Sequence, residues 1–270
     1  MTLVVNVYDR TWREALQPGR FPGIADQNLA EFAERFVLIN NVSDREQVVA
    51  AAAALVEAGE LTGYRFVADA IDDALRVARL PRRVLERRGY FLDFGLAMTV
   101  TGTQPFIVGW DPETELVEPT AWIEPAIRLL EADSSVGSAS PIWPARETLS
   151  DETVKEDSTW IYNWGFSDQV FLVRRSDVAA PIYRAFAPAA LARHEAHPFT
   201  FEARLESWQR ASGRTRATHR FAEYRTNELE DVMIREGGYS RSELIFRNVF
   251  LLFRRLLTRF PMRHPRLRLP

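Results

Sequence analysis

Leu3-Val4-Val5-Asn6-Val7-Tyr8-Asp9-Arg10, near the start of the 270-residue chain, is a short apolar run that stops on polar and charged residues. Its length, its valines and its polar end predict a buried strand leading into a loop. Residues 36–41, 64–69 and 105–110 read the same way, rich in Val, Ile and aromatics and bounded by polar residues. Between these runs lie amphipathic stretches. One follows Thr11, with Glu14 three residues on; another follows Ser43, with Glu46 three residues on, and runs through alanines to Gly59. Both starts have the form of a capping box, and Gly59 has the form of a helix C-cap. Strands alternating with helices predict βαβ units. The expected fold is therefore α/β, a Rossmann-type and mostly parallel sheet flanked by helices.

The second half is less regular. Residues 170–174 predict a strand, 176–186 a helix, 200–212 a helix closed by Gly213, and 216–218 a strand or turn. Residues 240–260 predict a C-terminal amphipathic helix, with Leu244, Ile245, Val249, Leu252, Phe253, Leu256 and Phe260 at helical spacing and a break at Pro261. Arginines gather on its other side and in the tail. An apolar stripe facing arginines suits an anionic membrane surface, and it equally suits packing on the chain's own domain or in a homodimer.

Composition narrows the chemistry. There is no cysteine, which excludes disulfides, thiolate nucleophiles and zinc–thiolate or iron–sulfur sites. Lys155 is the only lysine, so Schiff-base chemistry has almost no support. Net charge is −3, while residues 240–270 hold eight arginines and one acid, or +7; residues 1–239 therefore carry −3 minus +7, or −10. An acidic body of that size does not read as a nucleic-acid binder. The N-terminal region lacks the pattern of a signal peptide, and no apolar run reaches the ~20 residues that span a bilayer. The expected location is cytoplasmic, with the inner face of the membrane open to residues 240–270.

In an open parallel sheet, ligands bind outside the carboxyl ends of the strands. Here those ends read Asn6 to Arg10, Asn40-Asn41, Asp69, and Asp111-Pro112-Glu113. Turn and cap preferences account for any one of them; four together on one rim suit a polar ligand. Asp111 and Glu113, two apart across a proline, offer oxygens to a hard cation such as Mg²⁺ or Mn²⁺. Several other chemistries lack their motifs: there is no Gly-x-x-x-x-Gly-Lys, Gly-x-Gly-x-x-Gly or Gly-x-Ser-x-Gly. His194-Glu195-Ala196-His197 lacks the spacing of a zinc protease.

The run 4–10, the strand ending Asn40-Asn41, and Gly95-Leu96-Ala97 ahead of the stretch 105–111 together resemble a GT-A glycosyltransferase of the family-2 kind. The resemblance covers roughly residues 3–225 and is clearest over 90–175. It implies a nucleoside-diphosphate sugar as donor, bound by Asn6, Tyr8, Asp9, Arg10, Asn41, Asp69 and Asp111. It also implies Mn²⁺ or Mg²⁺ at Asp111 and Glu113, with His219 as a further ligand. The family's Asp-x-Asp stands here as Asp-x-Glu, and its Asp-x-Ser-x-Asp is replaced by Asn41-Val42-Ser43-Asp44. The segment 164–172 resembles the family's Asp-Gln segment, which makes Asp168 a candidate catalytic residue. The segment 199–208 resembles the helix start that supplies the base of inverting members, which makes Glu202 the other. The implied activity is sugar transfer to a hydroxyl of a glycan, a glycolipid or a small molecule, in glycan or glycoconjugate assembly. The implied organisation is a GT-A-like domain over 1–238, with a donor half at about 1–115 and an acceptor half at about 116–238, followed by the basic helix and tail at 239–270. The competing expectation is a non-catalytic membrane-peripheral protein that keeps the fold. Aromatics at 143, 160, 162, 164 and 166 are expected either to form a flap over a sugar or to anchor a loop.

Overall fold

A computed structural model describes residues 1–82, 93–143, 153–179, 181–187, 189–190 and 200–226. The helix at 240–260, the tail and His194-Glu195-Ala196-His197 lie outside the described residues.

The strands are β1 (Thr2–Val7), β2 (Glu34–Ile39), β3 (Gly63–Phe66), β4 (Phe106–Trp110), β5 (Thr114–Leu116), β6 (Val136–Ile142), β7 (Thr153–Glu156), β8 (Trp160–Asn163), β9 (Val170–Arg174) and β10 (Thr215–Thr226). The helices are α1 (Trp12–Ala15), α2 (Arg20–Asn28), α3 (Arg45–Glu57), α4 (Val67–Ala78), α5 (Asp93–Thr99), α6 (Ile123–Ala132), α7 (Arg175–Val178) and α8 (Phe201–Ser212). A 3₁₀ turn covers Pro181–Arg184. The sheet order is β3-β2-β1-β4-β9-β6-β10-β8-β7, with β5 paired to the far end of β10. β1 to β4, β6, β10 and β7 run in one direction, and β9, β8 and β5 run against them. This is the expected GT-A-like sheet: four parallel strands, then one antiparallel strand slipped between β4 and β6.

Side-chain alternation builds the layers. From β1, Leu3, Val5 and Val7 join a core shared with Trp12, Phe21, Ile24, Val48 and Leu55 of α1 to α3. Val4, Leu38 and Ile107 face the other way, into a core with α4, α5 and α8. Gly109 belongs to that second face, and a Cβ there would lie 2.1 Å from the Phe171 ring of β9. The glycine is thus what lets the Phe171 ring sit here, in tilted contact with Phe166 and Phe201. Among the described residues no helix is long and apolar enough to cross a membrane.

Local signals explain most boundaries. The Thr200 hydroxyl accepts the Ala203 N–H to start α8, and Gly213 at φ +70 ends it. Helix α3 starts one residue later than expected: Asp44 caps Gln47, because Ser43 is held elsewhere. Thr11 makes no capping bond to α1 and instead accepts the Tyr8 N–H. The apolar run at 64–69 divides, with β3 ending at Phe66 and Asp69 falling in the first turn of α4. The helix expected over 176–186 breaks after α7, since Pro181 has no N–H to continue it.

The end of the sheet opposite the β4 turn, where β1 and β2 begin, is locked by Glu34. Its carboxylate accepts from the hydroxyls of Thr2 and Thr103 at 2.6 Å each and from the Thr103 N–H at 2.8 Å. Burial acts to raise its pKa, but these hydrogen bonds outweigh it and hold the group at about 2. A lowered folded-state pKa means stability that is fully present above the unfolded value, near 4.5, and lost as pH falls through about 2. Glu34→Gln is expected to lower the neutral-pH Tm by roughly 2–4 °C, about 1 kcal/mol for a chain of this size. In thermal melts from pH 7 to 1.5, that gap should close between pH 4.5 and 2. A gap that stays constant across the series would refute the assignment.

Candidate active site at the carboxyl ends of the strands

The β1 and β2 ends are tied to each other. The Asn40 N–H donates to the Val7 carbonyl at 2.8 Å, carrying the ladder one residue past β2. Asn41 then turns the chain at φ +46, a left-handed conformation that asparagine tolerates better than most residues. That turn brings Ser43 under Asp9, whose Oδ1 accepts its N–H at 2.7 Å and its hydroxyl at 3.0 Å. Asp9, Arg10 and Asn41 are exposed, and Tyr8 is half-buried. Behind them, Asn6 Oδ1 is buried without a hydrogen-bond partner among the described residues.

At the end of β4 the Asp111 N–H donates to the Gln169 carbonyl at 2.6 Å, extending the antiparallel pairing with β9 by one step. Asp111 Oδ1 accepts the Glu113 N–H at 2.8 Å, and the Asp111 carbonyl accepts the Thr114 N–H at 3.1 Å. This is an Asx turn stiffened by Pro112. The same β9 entrance reaches α8, where Glu202 Oε1 accepts the Asp168 N–H at 3.0 Å. From β10, the Tyr224 hydroxyl donates to Gln169 Oε1 at 2.9 Å, and its ring stacks on Trp143. Asp111, Glu202 and Tyr224 are therefore each tied to the segment Asp168-Gln169, the first two through its backbone and Tyr224 through the Gln169 side chain. Glu202 sits in the first turn of α8, where the helix dipole favours a negative charge.

Asp69 and His219 have other partners in this structure. Asp69, on α4, is exposed and lies 3.6 Å from the Arg45 guanidinium, which covers the Phe66 ring. His219 lies in β10, and among the described residues no three His, Asp or Glu side chains converge to hold an ion, at His219 or at Asp111 and Glu113. The His219 Nδ1 accepts the N–H groups of Phe221 and Ala222, at 3.3 and 3.0 Å, inside a bulge of β10. Burial holds its pKa below the ordinary value. Trp160 and Tyr162 are buried in β8, and Trp164 and Phe166 are buried just after it; Trp143 stacks on Tyr224.

The donor chemistry suits a particular kind of cation site. Mg²⁺ and Mn²⁺ need only one or two protein carboxylates when phosphates supply further oxygens. Asp111 and Glu113, on one rigid turn, fit that requirement. One side chain tied to the segment Asp168-Gln169, Tyr224, carried no sequence signal, because it lies within a strand.

No family model matches the sequence, and no curated protein matches it. Among solved structures, one described as a mycobacterial protein is 13% identical, covering all of this chain and 75% of its own, with a TM-score of 0.50. Glucosyl-3-phosphoglycerate synthase from Mycobacterium tuberculosis, in complex with Mn2+, uridine diphosphate and phosphoglyceric acid, is 12% identical, covering all of this chain and 78% of its own at 0.48. GalNAc-T7 with UDP, GalNAc and Mn2+ is 9% identical, covering 83% of this chain and 43% of its own at 0.47. At such identities the likeness is one of fold.

Proposed function

We propose that the chain is a glycosyltransferase that moves a sugar from a nucleoside diphosphate to a hydroxyl acceptor, with inversion. The observation that supports this most is that Asp111 and Glu202 are tied to the adjacent residues Gln169 and Asp168 at the β9 entrance. In this reading Tyr8, Asp9, Arg10 and Asn41 line the nucleotide, and Asn6 supplies an acceptor from behind the rim. Asp111 and Glu113 would hold Mn²⁺ or Mg²⁺, which when bound neutralises the diphosphate as it leaves. Glu202 takes the proton of the attacking hydroxyl, and the Asp168 N–H keeps its carboxylate turned toward the site. Asp168 stands next to it as the alternative base. The acceptor belongs to glycan or glycoconjugate assembly.

The test is a donor screen. Release of nucleoside diphosphate from UDP-, GDP- and dTDP-sugars is measured with Mn²⁺, with Mg²⁺ and with EDTA. One donor turned over only with metal supports the proposal. Nucleotide binding with no turnover across acceptor classes would leave a binding protein on this fold, and neither binding nor turnover would overturn the reading altogether.

A further inference from the structure

Helix α2 lies beside the turn that bears Asp111 and Glu113, and it is tied to that segment at both ends. Its start is fixed from outside: the Gly19 N–H, at φ +86, donates to both oxygens of Glu60 at 3.0 and 2.9 Å. The next residue, Arg20, reaches across with Nη2 donating to the carbonyls of Pro112 and Thr114. Those carbonyls flank Glu113 on either side. At the far end of α2, Gln27 Oε1 accepts the Leu116 N–H at 3.2 Å, and the Gln27 carbonyl accepts the Thr120 N–H at 2.9 Å.

The turn does not need Arg20 in order to close. The Thr114 N–H already bonds the Asp111 carbonyl, and the Trp110 indole N–H donates to the Thr114 carbonyl at 3.0 Å. What Arg20 adds is a fixed orientation of the peptides around Glu113. It does so at a cost, because its Nε is buried without a partner among the described residues. A planar guanidinium suits a hold on two separate carbonyls, where a lysine offers a single point charge. We propose that Arg20 is a positioning residue for the cation site: it holds the Glu113 peptide so that the two carboxylates of the turn keep one mutual geometry. This inference rests on the reading of Asp111 and Glu113 as the cation ligands.

Mn²⁺ itself is the probe. Its binding to the full chain is followed by the EPR signal of the free ion, alongside thermal melts, for wild type, Arg20→Ala, Arg20→Lys and Gln27→Ala. Outer residues that orient metal ligands typically contribute 10–100-fold in affinity. Arg20→Ala is expected to weaken Mn²⁺ binding by about that factor, and Arg20→Lys, which keeps the charge and most of the stem, by a smaller one. Gln27→Ala loosens the other end of α2 without touching the Asp111–Glu113 turn, so it should lower the Tm and leave the Mn²⁺ affinity unchanged. Wild-type affinity in both Arg20 variants overturns the inference, as does an equal loss in Gln27→Ala, which would mean general loosening. A wild-type chain that binds no Mn²⁺ overturns the cation reading and this inference with it. Wild-type binding together with unchanged Arg20 variants removes the positioning role alone.

Discussion

Asp111→Asn is expected to abolish turnover of any nucleoside-diphosphate sugar while leaving the fold in place. The Asx-turn contact at this position survives the change. Asparagine Oδ1 can still accept the Glu113 N–H, and the backbone bonds from Asp111 to Gln169 and Thr114 do not involve the side chain. The Tm should therefore move by no more than about 2 °C, the scale of a surface substitution. The charge on the turn, however, is lost. Metal stabilisation of a leaving diphosphate contributes several kcal/mol, and each ~1.4 kcal/mol is tenfold in rate, so the loss is on the order of a thousandfold. Initial rates with saturating donor and Mn²⁺, set beside circular dichroism of the same preparation, decide it. Retained activity, or a wild type indifferent to EDTA, would remove the metal from Asp111.

How much of this was legible in the sequence depends on what each segment packs against. β1, β4 and β9 are buried on both faces, so their apolar runs are continuous and their limits can be read almost residue by residue. Helix α8 shows its ends plainly because Thr200 and Gly213 do local chemistry that needs no tertiary partner. The opposite holds for β6, Val-Gly-Ser-Ala-Ser-Pro-Ile, which is buried yet small and polar. Its Ser138 hydroxyl is satisfied by Gln209 of α8 at 2.6 Å, a contact 71 residues away that no window can see. Helix α2 begins Arg-Phe-Pro-Gly and looks like a loop. At 64–71 an apolar run crosses from period 2 to helical spacing, and only the stripe Val67, Ala70, Ile71, Ala74, Leu75 and Ala78 shows where the change falls. The candidate site divides in the same way. Asp111 and Glu113 follow a clear strand and could be placed from it. His219 offered a ligand by residue type, and the structure adds that its Nδ1 accepts backbone N–H groups of its own bulge.

The contact between Glu202 and Asp168 makes a sharper test of the base than a single substitution does. Glu202→Gln keeps an oxygen to accept the Asp168 N–H, and it leaves the Thr200 cap of α8 untouched. Its geometry should persist while its basicity is gone. General-base contributions run ~10²–10⁴-fold, so the transfer rate should fall by that factor with donor binding unchanged. Glu202→Ala removes the base and also leaves the Asp168 N–H without this acceptor. It should lose the same rate and, in addition, stability of about 1 kcal/mol, because this hydrogen bond would be lost. The informative quantity is the difference between the two variants. Equal rates with unequal melting temperatures mean that Glu202 is both base and anchor. A glutamine variant near wild-type rate beside a slow alanine variant means that Glu202 only holds the 167–169 segment, and Asp168 becomes the base. In that case Asp168→Asn should show the ~10²–10⁴-fold loss instead. Single-turnover transfer rates, nucleotide affinity and melts on the three variants distinguish these outcomes, because only a true base lowers the chemical step without moving the other two readouts.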